Sequence, residues 1–110
     1  MTSPAQLSQR IAEADQVIVT NRYRAIGQTI SREEADSLVK SIASAKKKTS
    51  GTDLDWASER VWDVDFYAGT NRMASIPVYY GIFQLEGVEY ADSTGSLQKI
   101  WMKLDENGRK

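Results

Sequence analysis

Acidic side chains form the densest group of residues in this chain that could take part in chemistry. They are Asp53, Asp55, Glu59, Asp63 and Asp65, all within the stretch DLDWASERVWDVD. Closely spaced carboxylates can bind a divalent cation or act as a general acid and base. This stretch lacks the glycine and the final glutamate of an EF-hand loop, and no neighbour in it is expected to shift a carboxyl pKa. We therefore predict no metal site and no catalytic residue, and expect Asp63 and Asp65 on the solvent-facing side of a strand.

Basic side chains form a second group, which could hold a phosphate. They are Lys46–Lys48, Arg22, Arg24 and Arg72. The lysine run is expected at the C-terminus of a helix, where it complements the helix dipole. The chain has 14 basic and 15 acidic residues, which give a formal net charge of −1. Nucleic-acid-binding proteins usually combine a basic face with aromatic side chains, so we predict no nucleic-acid partner.

Histidine and cysteine are both absent from the sequence. The chain therefore lacks the commonest general base at neutral pH, thiol nucleophiles, disulfides and cysteine-type metal sites. It also has no glycine-rich phosphate loop and no G-x-S-x-G elbow. These absences favour a protein that is not an enzyme and that uses no cofactor.

Aromatic side chains are the best candidates for a binding surface. Alternation along neighbouring strands predicts Tyr67, Tyr79 and Phe83 on the outer face of a sheet, among Asp63 and Asp65. Tyrosine is enriched at protein interfaces because it offers rigid area and a hydroxyl group. In the alternative interpretation, the N-terminal segment covers this face, or the tyrosines only stabilise the sheet by cross-strand packing.

The three tryptophans differ in their expected roles. Trp62 and Trp101 are in phase with core positions of a strand and a helix. Trp56 has no clear phase and lies in the ambiguous stretch 53–59. We expect it either to cover an edge of the core or to anchor a partner.

The clearest element is a helix over residues 31–48. Ser31 followed by Glu34 is a capping box, and Leu38 and Ile42 fall on its apolar face. The other predicted elements are a helix from Ser3 to about Ala14, strands at 16–23, 60–67, 72–85 and 88–90, and a C-terminal helix from Asp92 to a cap at Asn107–Gly108. A further short extended piece is possible within 25–30. Gly69–Asn71 and Glu86–Gly87 are predicted turns, and Pro77 implies an edge, a bulge or a break in its strand.

This element order, α-β-α-β-β-β-α, predicts the α+β class. We expect one two-layer domain over residues 1–110, in which helices cover one face of a mostly antiparallel sheet of about four strands.

The function expected from these observations is protein binding without catalysis. A regulatory, inhibitory or immunity-type module, or an accessory domain of an envelope system, would bind another protein through an aromatic sheet face or a strand edge. The candidate binding residues are Trp56, Tyr67, Tyr79, Phe83, Asp63 and Asp65. The alternative is a small-ligand pocket lined by tyrosine and tryptophan, with or without carboxylate catalysis. No apolar run is long enough to span a membrane, so we expect either a cytoplasmic protein or one exported by a leader absent from this sequence.

Overall fold

The computed structural model describes residues 2–21, 23, 26–49, 51 and 54–107. Several residues singled out above lie outside these ranges, namely Arg22, Arg24, Asp53 and Gly108. The elements, in chain order, are α1 (Pro4–Ile11), β1 (Gln16–Asn21), β2 (Ile26–Thr29), α2 (Arg32–Ser44), β3 (Lys46–Lys47), β4 (Trp62–Ala68), β5 (Asn71–Tyr79), β6 (Ile82–Leu85), β7 (Val88–Ala91) and α3 (Ser96–Asn107). The predicted α+β class is confirmed.

Helix α2 begins with the predicted capping box. The Glu34 amide donates to Ser31 Oγ at 3.1 Å, and the Ser31 amide donates to Glu34 Oε1 at 3.2 Å. Its C-terminus differs from the prediction, because the backbone is already extended at Ala45 and Lys46–Lys47 form β3. The lysine run therefore does not complement the dipole of α2. It pairs with β7 at one end of the sheet instead.

Within the described residues, the strands form one antiparallel sheet in the order β2-β1-β4-β5-β6-β7-β3. The prediction of about four strands is wrong, since this sheet has seven. Two of the extra strands are β2, which forms a hairpin with β1, and β3.

The third extra strand arises because the predicted strand at 72–85 is interrupted by a tight turn. Tyr80 and Gly81 form this turn, with Tyr80 in the left-handed region at φ 55°. Only two residue pairs, Val78–Phe83 and Tyr79–Ile82, join β5 to β6. The next residue of β5 is Pro77, which cannot donate to a ladder, so β6 separates from β5 at this point.

The buried side chains of the strands share one face of the sheet. The register aligns Val19 with Val64 and Ile76, and it also aligns Val78 with Phe83. These residues belong to one apolar cluster with buried side chains from all three helices, which are Leu7, Ile11, Leu38, Ile42, Leu97, Ile100, Trp101 and Leu104. Strands and helices therefore share one core. None of the helices, over the residues described, combines the length and the apolar character needed to cross a membrane.

Candidate functional site

Phe83 does not lie on the outer face of the sheet. Its side chain is fully buried in the core and stacks on Tyr90, with 5.6 Å between ring centroids. The sequence assigned Phe83 to the wrong face because it treated β5 and β6 as one strand. The turn at Tyr80–Gly81 adds two residues outside the ladder and folds the chain back, so residue 83 faces residue 78.

The other predicted sheet residues do not form one patch, and the Tyr79 ring lies against the core residue Trp101, with 5.7 Å between their centroids. Asp63 and Asp65 are half-buried and alternate with core residues along β4. Tyr67 lies near the end of β4 that pairs with Arg72, whereas Tyr79 is at the far end of β5. At about 3.3 Å per residue, the two tyrosines are about 23 Å apart along the sheet. The structure therefore does not bring Tyr67 and Tyr79 together.

Trp56 is held against the sheet by a half-buried carboxylate, that of Glu89. Its indole Nε1 donates to Glu89 Oε2 at 2.8 Å, and the Leu54 amide donates to the same oxygen at 3.3 Å. Lys48 Nζ contacts Glu89 Oε1 at 3.0 Å. Burial alone would raise the pKa of Glu89, but the hydrogen bonds from Lys48, Trp56 and Leu54 outweigh it and lower the pKa. Trp56 thus uses its polar group inside the protein.

A cluster around Arg60 was not found from the sequence. The Arg60 guanidinium lies over the rings of Tyr80 and Trp101, with its carbon 5.6 and 5.1 Å from their centroids. It also contacts Asp105 Oδ2 at 3.5 Å. Burial alone would lower the pKa of Arg60, but Tyr80 and Asp105 outweigh it and raise the pKa, so the guanidinium keeps its charge. No local signal could have identified this cluster, because its members are far apart in the sequence.

The outer edge of β2 presents backbone groups to solvent. The Ile30 amide donates to the Val17 carbonyl at 3.3 Å, which fixes the phase of the β1–β2 ladder. Hydrogen-bonding direction alternates along a strand, so the N–H and C=O groups of Gly27 and Thr29 point away from β1. Both residues are exposed. Among the described residues, no strand pairs with this side of β2.

The other free edges of the sheet carry features that discourage strand pairing. At the opposite end, β3 is only two residues long, and both are lysines. The free side of β5 has a bulge opposite Phe66–Tyr67, and it ends at Pro77. The edge of β2, with the sequence IGQT, has no proline, no charge and no bulge. It is therefore the free edge best suited to accept another strand.

A groove with a mixed polar and apolar lining adjoins this edge of β2, between the end of α1 and the start of α2. Its volume is about 260 Å³, and its lining residues are Ile11, Ala12, Ala14, Asp15, Gln16, Val17, Thr29, Ile30, Ser31, Arg32, Ala35, Asp36 and Val39. Ile11 and Val17 are buried, whereas Ile30, Ala35 and Val39 are half-buried and belong to the rim of the core. An ion pair between Arg32 and Asp36, with Nε and Oδ1 3.6 Å apart, lies on the exposed side.

The carboxyl groups whose pKa is shifted are poorly suited to acid–base catalysis. Within the described ranges, four carboxyl groups have a shifted pKa, and each of these shifts is downward: Glu34, Glu86, Glu89 and Asp92. A lowered pKa leaves a carboxyl group deprotonated near neutral pH and makes the carboxylate a weaker base, so it is less suited to act as general acid or general base. Over the described part of the chain, no group of three or more acidic side chains is placed to hold a metal ion.

Comparisons with models of known protein families, with curated proteins and with solved structures found no match.

Proposed function

We propose that this protein is a non-enzymatic interaction module that receives an extended segment of a partner protein on the edge of β2. The observation that carries the proposal is the edge itself, where Gly27 and Thr29 are exposed and direct backbone groups outward. Such edges bind by adding a strand, with main-chain hydrogen bonds for affinity and side-chain pockets for specificity. A regulatory, inhibitory, immunity-type or envelope-accessory role is compatible with this mode of binding.

The groove next to β2 supports the same proposal. We infer that the helices cover the face of the sheet that carries Val19 and Val64, so that the structure has two layers. An added strand would then continue the sheet, and alternate side chains would point toward the flank of α2. There the groove offers Ile30, Ala35 and Val39 to one apolar side chain of the partner.

The size of the site predicts weak, reversible binding by a single segment. An added strand gains about four backbone hydrogen bonds at Gly27 and Thr29, each contributing about 0.5–1.5 kcal/mol. One apolar side chain buried in the groove contributes about 1.5–3 kcal/mol more. Association itself costs about 4–15 kcal/mol, so a partner needs contacts beyond the edge for tight binding.

The proposal is tested with peptides selected from a random library against the wild-type protein. Gly27→Pro removes the outward N–H and leaves the β1–β2 ladder intact, because proline is tolerated on a strand edge. Gly27→Ala is the matched control, since it keeps the N–H and, among the described residues, an added Cβ meets only Thr20 Oγ1, at 3.8 Å. Thr29→Lys is a second edge variant that changes only an exposed side chain.

We expect selected peptides to bind wild-type protein and Gly27→Ala but to lose about tenfold or more in affinity for Gly27→Pro and Thr29→Lys. Backbone amide shifts in NMR spectra should change at Gly27 and Thr29 on binding. Peptides that bind all four proteins equally, or that shift amides elsewhere, would contradict the proposal. Circular dichroism of each variant shows whether it is folded.

A further inference from the structure

We propose that the strand added to β2 is β2 of a second copy of this chain, and that Tyr23 of each copy enters the groove of the other. This inference rests on the proposed function, because it uses the same edge and the same groove. Unlike the proposed function, this inference names the partner. A projecting aromatic side chain and the groove both lie near this edge, so each copy can bind the tyrosine of the other in its own groove.

The projecting side chain is Tyr23, near the tip of the β1–β2 hairpin. It is 58% exposed, more than any other large hydrophobic residue that the structure describes. Its backbone is nevertheless anchored, because the Tyr23 amide donates to Asn21 Oδ1 at 3.1 Å. Asn21 is fully buried, and its Nδ2 donates to the Glu59 carbonyl at 2.6 Å. A buried side chain thus fixes the base of an exposed aromatic residue.

The backbone of β2 permits pairing about a two-fold axis. Gly27 directs its N–H and C=O groups outward, so Gly27 of the two copies can exchange two hydrogen bonds across the axis. The antiparallel register then places Ile26 of one copy opposite Gln28 of the other. The core-facing and outer faces of the two sheets stay aligned, because a two-fold axis perpendicular to the sheet preserves them.

This register brings the projecting tyrosine to the cavity. Tyr23 precedes Ile26 by three residues, so we expect it to lie near Ile30 and Arg32 of the second copy. Both residues line the groove, whose volume is about 260 Å³. The ring would pack on Ile30 and Ala35, and the Arg32 guanidinium could lie over its face. Because of the two-fold axis, each of these contacts forms twice. The two tyrosine–groove contacts add to the strand pairing and supply the contacts beyond the edge that tight binding needs.

The first experiment measures association by sedimentation velocity from about 1 μM to 1 mM, a range typical of weak complexes. We expect a concentration-dependent dimer that Tyr23→Ala and Gly27→Pro each weaken by about tenfold or more. Met102→Ala, which removes another exposed apolar side chain (52% exposed), should leave the dimer unchanged. A protein that stays monomeric up to 1 mM overturns the inference, as does a dimer that neither Tyr23→Ala nor Gly27→Pro weakens.

A second experiment tests whether tyrosine and groove meet across the two copies. Ala35→Phe fills the groove but leaves Tyr23 in place, whereas Tyr23→Ala does the reverse. A mixed dimer of these two variants keeps one intact tyrosine–groove contact, and neither homodimer keeps any. Native mass spectrometry should therefore show more mixed dimer than a statistical mixture contains. A statistical or smaller amount contradicts the assigned contact, even if Ala35→Phe alone abolishes association.

The two proposals can fail separately. If the wild-type protein is monomeric but selected peptides still bind at Gly27, the second copy is the wrong partner and the edge remains the binding site. If no peptide depends on the Gly27 N–H and association is also insensitive to Gly27→Pro, then both proposals are wrong.

Discussion

Replacing Glu89 with glutamine should destabilise the protein in a way that depends on pH. The carboxylate accepts hydrogen bonds from Trp56, Leu54 and Lys48, and the side chains of Lys48 and Glu89 are only 16% and 14% exposed. A glutamine can keep the two bonds to Trp56 and Leu54 through its oxygen. Its NH₂ group must then face the Lys48 ammonium, and two donors cannot bond to each other.

The expected loss follows from that single broken contact. A hydrogen bond to a charged group contributes about 1.5–3 kcal/mol, and Lys48 can recover part of this by turning toward solvent. We therefore expect Glu89→Gln to lower the free energy of unfolding by about 2 kcal/mol at pH 7. Urea unfolding followed by circular dichroism measures this difference. Glu13→Gln, at an exposed position, is the control and should change stability by less than about 0.5 kcal/mol.

The pH dependence gives the sharper test. Because folding lowers the pKa of Glu89 below its ordinary value of 4.5, its contribution is complete above that value. The contribution is lost as the pH falls through the lower pKa of the folded protein. The difference in the free energy of unfolding between wild type and Glu89→Gln should therefore shrink as the pH falls from 7 to below 4.5. A gap that stays constant over this range, or that is absent at pH 7, would refute the reasoning.

Two further predictions concern the core and the acidic stretch. Ile42→Ala should cost about 2–5 kcal/mol in urea unfolding, because Ile42 is fully buried in the cluster that joins α2 to the sheet. Lys40→Ala, on the exposed side of α2, is its control, and a similar loss in both variants would mean that burial is not the cause. Titration with Ca²⁺ or Mg²⁺ should produce no saturable change in tryptophan fluorescence, since the described acidic residues do not converge. Saturation with either cation would instead point to a carboxylate site near Trp56.

Local signals in the sequence predicted several elements correctly. The capping box at Ser31 and Glu34 located the start of α2, because both partners lie within one helical turn. The alternation of Trp62, Val64 and Phe66 identified β4 and its buried face. Such signals succeed where the residues that decide the structure are neighbours in the chain.

The errors arise where distant contacts decide the structure. Tyr80 occupies the first position of a tight turn with a positive φ, which is rare for an aromatic residue, so alternation appeared to continue through it. Lys46–Lys47 leave the helix because they pair with β7 and the Lys48 amide donates to the Glu89 carbonyl. Neither the pairing with β7 nor the hydrogen bond to Glu89 can be recognised from the residues next to these lysines in the sequence.

The sequence predicted the type of binding site but not its position. A strand edge was among the expected binding modes, but the sequence could not say which edge was free. That depends on the order of the strands, on the bulge in the β4–β5 ladder and on the position of Pro77. Tyr23 was assigned to a strand, and its projection from a hairpin depends on the side chain of Asn21.

The narrow junction between β5 and β6 divides the sheet mechanically. Among the residues that the structure describes, only the ladder pairs at 78 and 79 join the strands on one side, β2-β1-β4-β5, to the strands on the other, β6-β7-β3. Cooperative units in proteins usually follow such boundaries. We therefore expect the smaller group to open before β1, β4 and the longer part of β5, although its opening exposes Phe83, which is buried in the shared core. Deuterium uptake by its amides would then be governed by local opening, and the segment around Trp56 would be released together with Glu89.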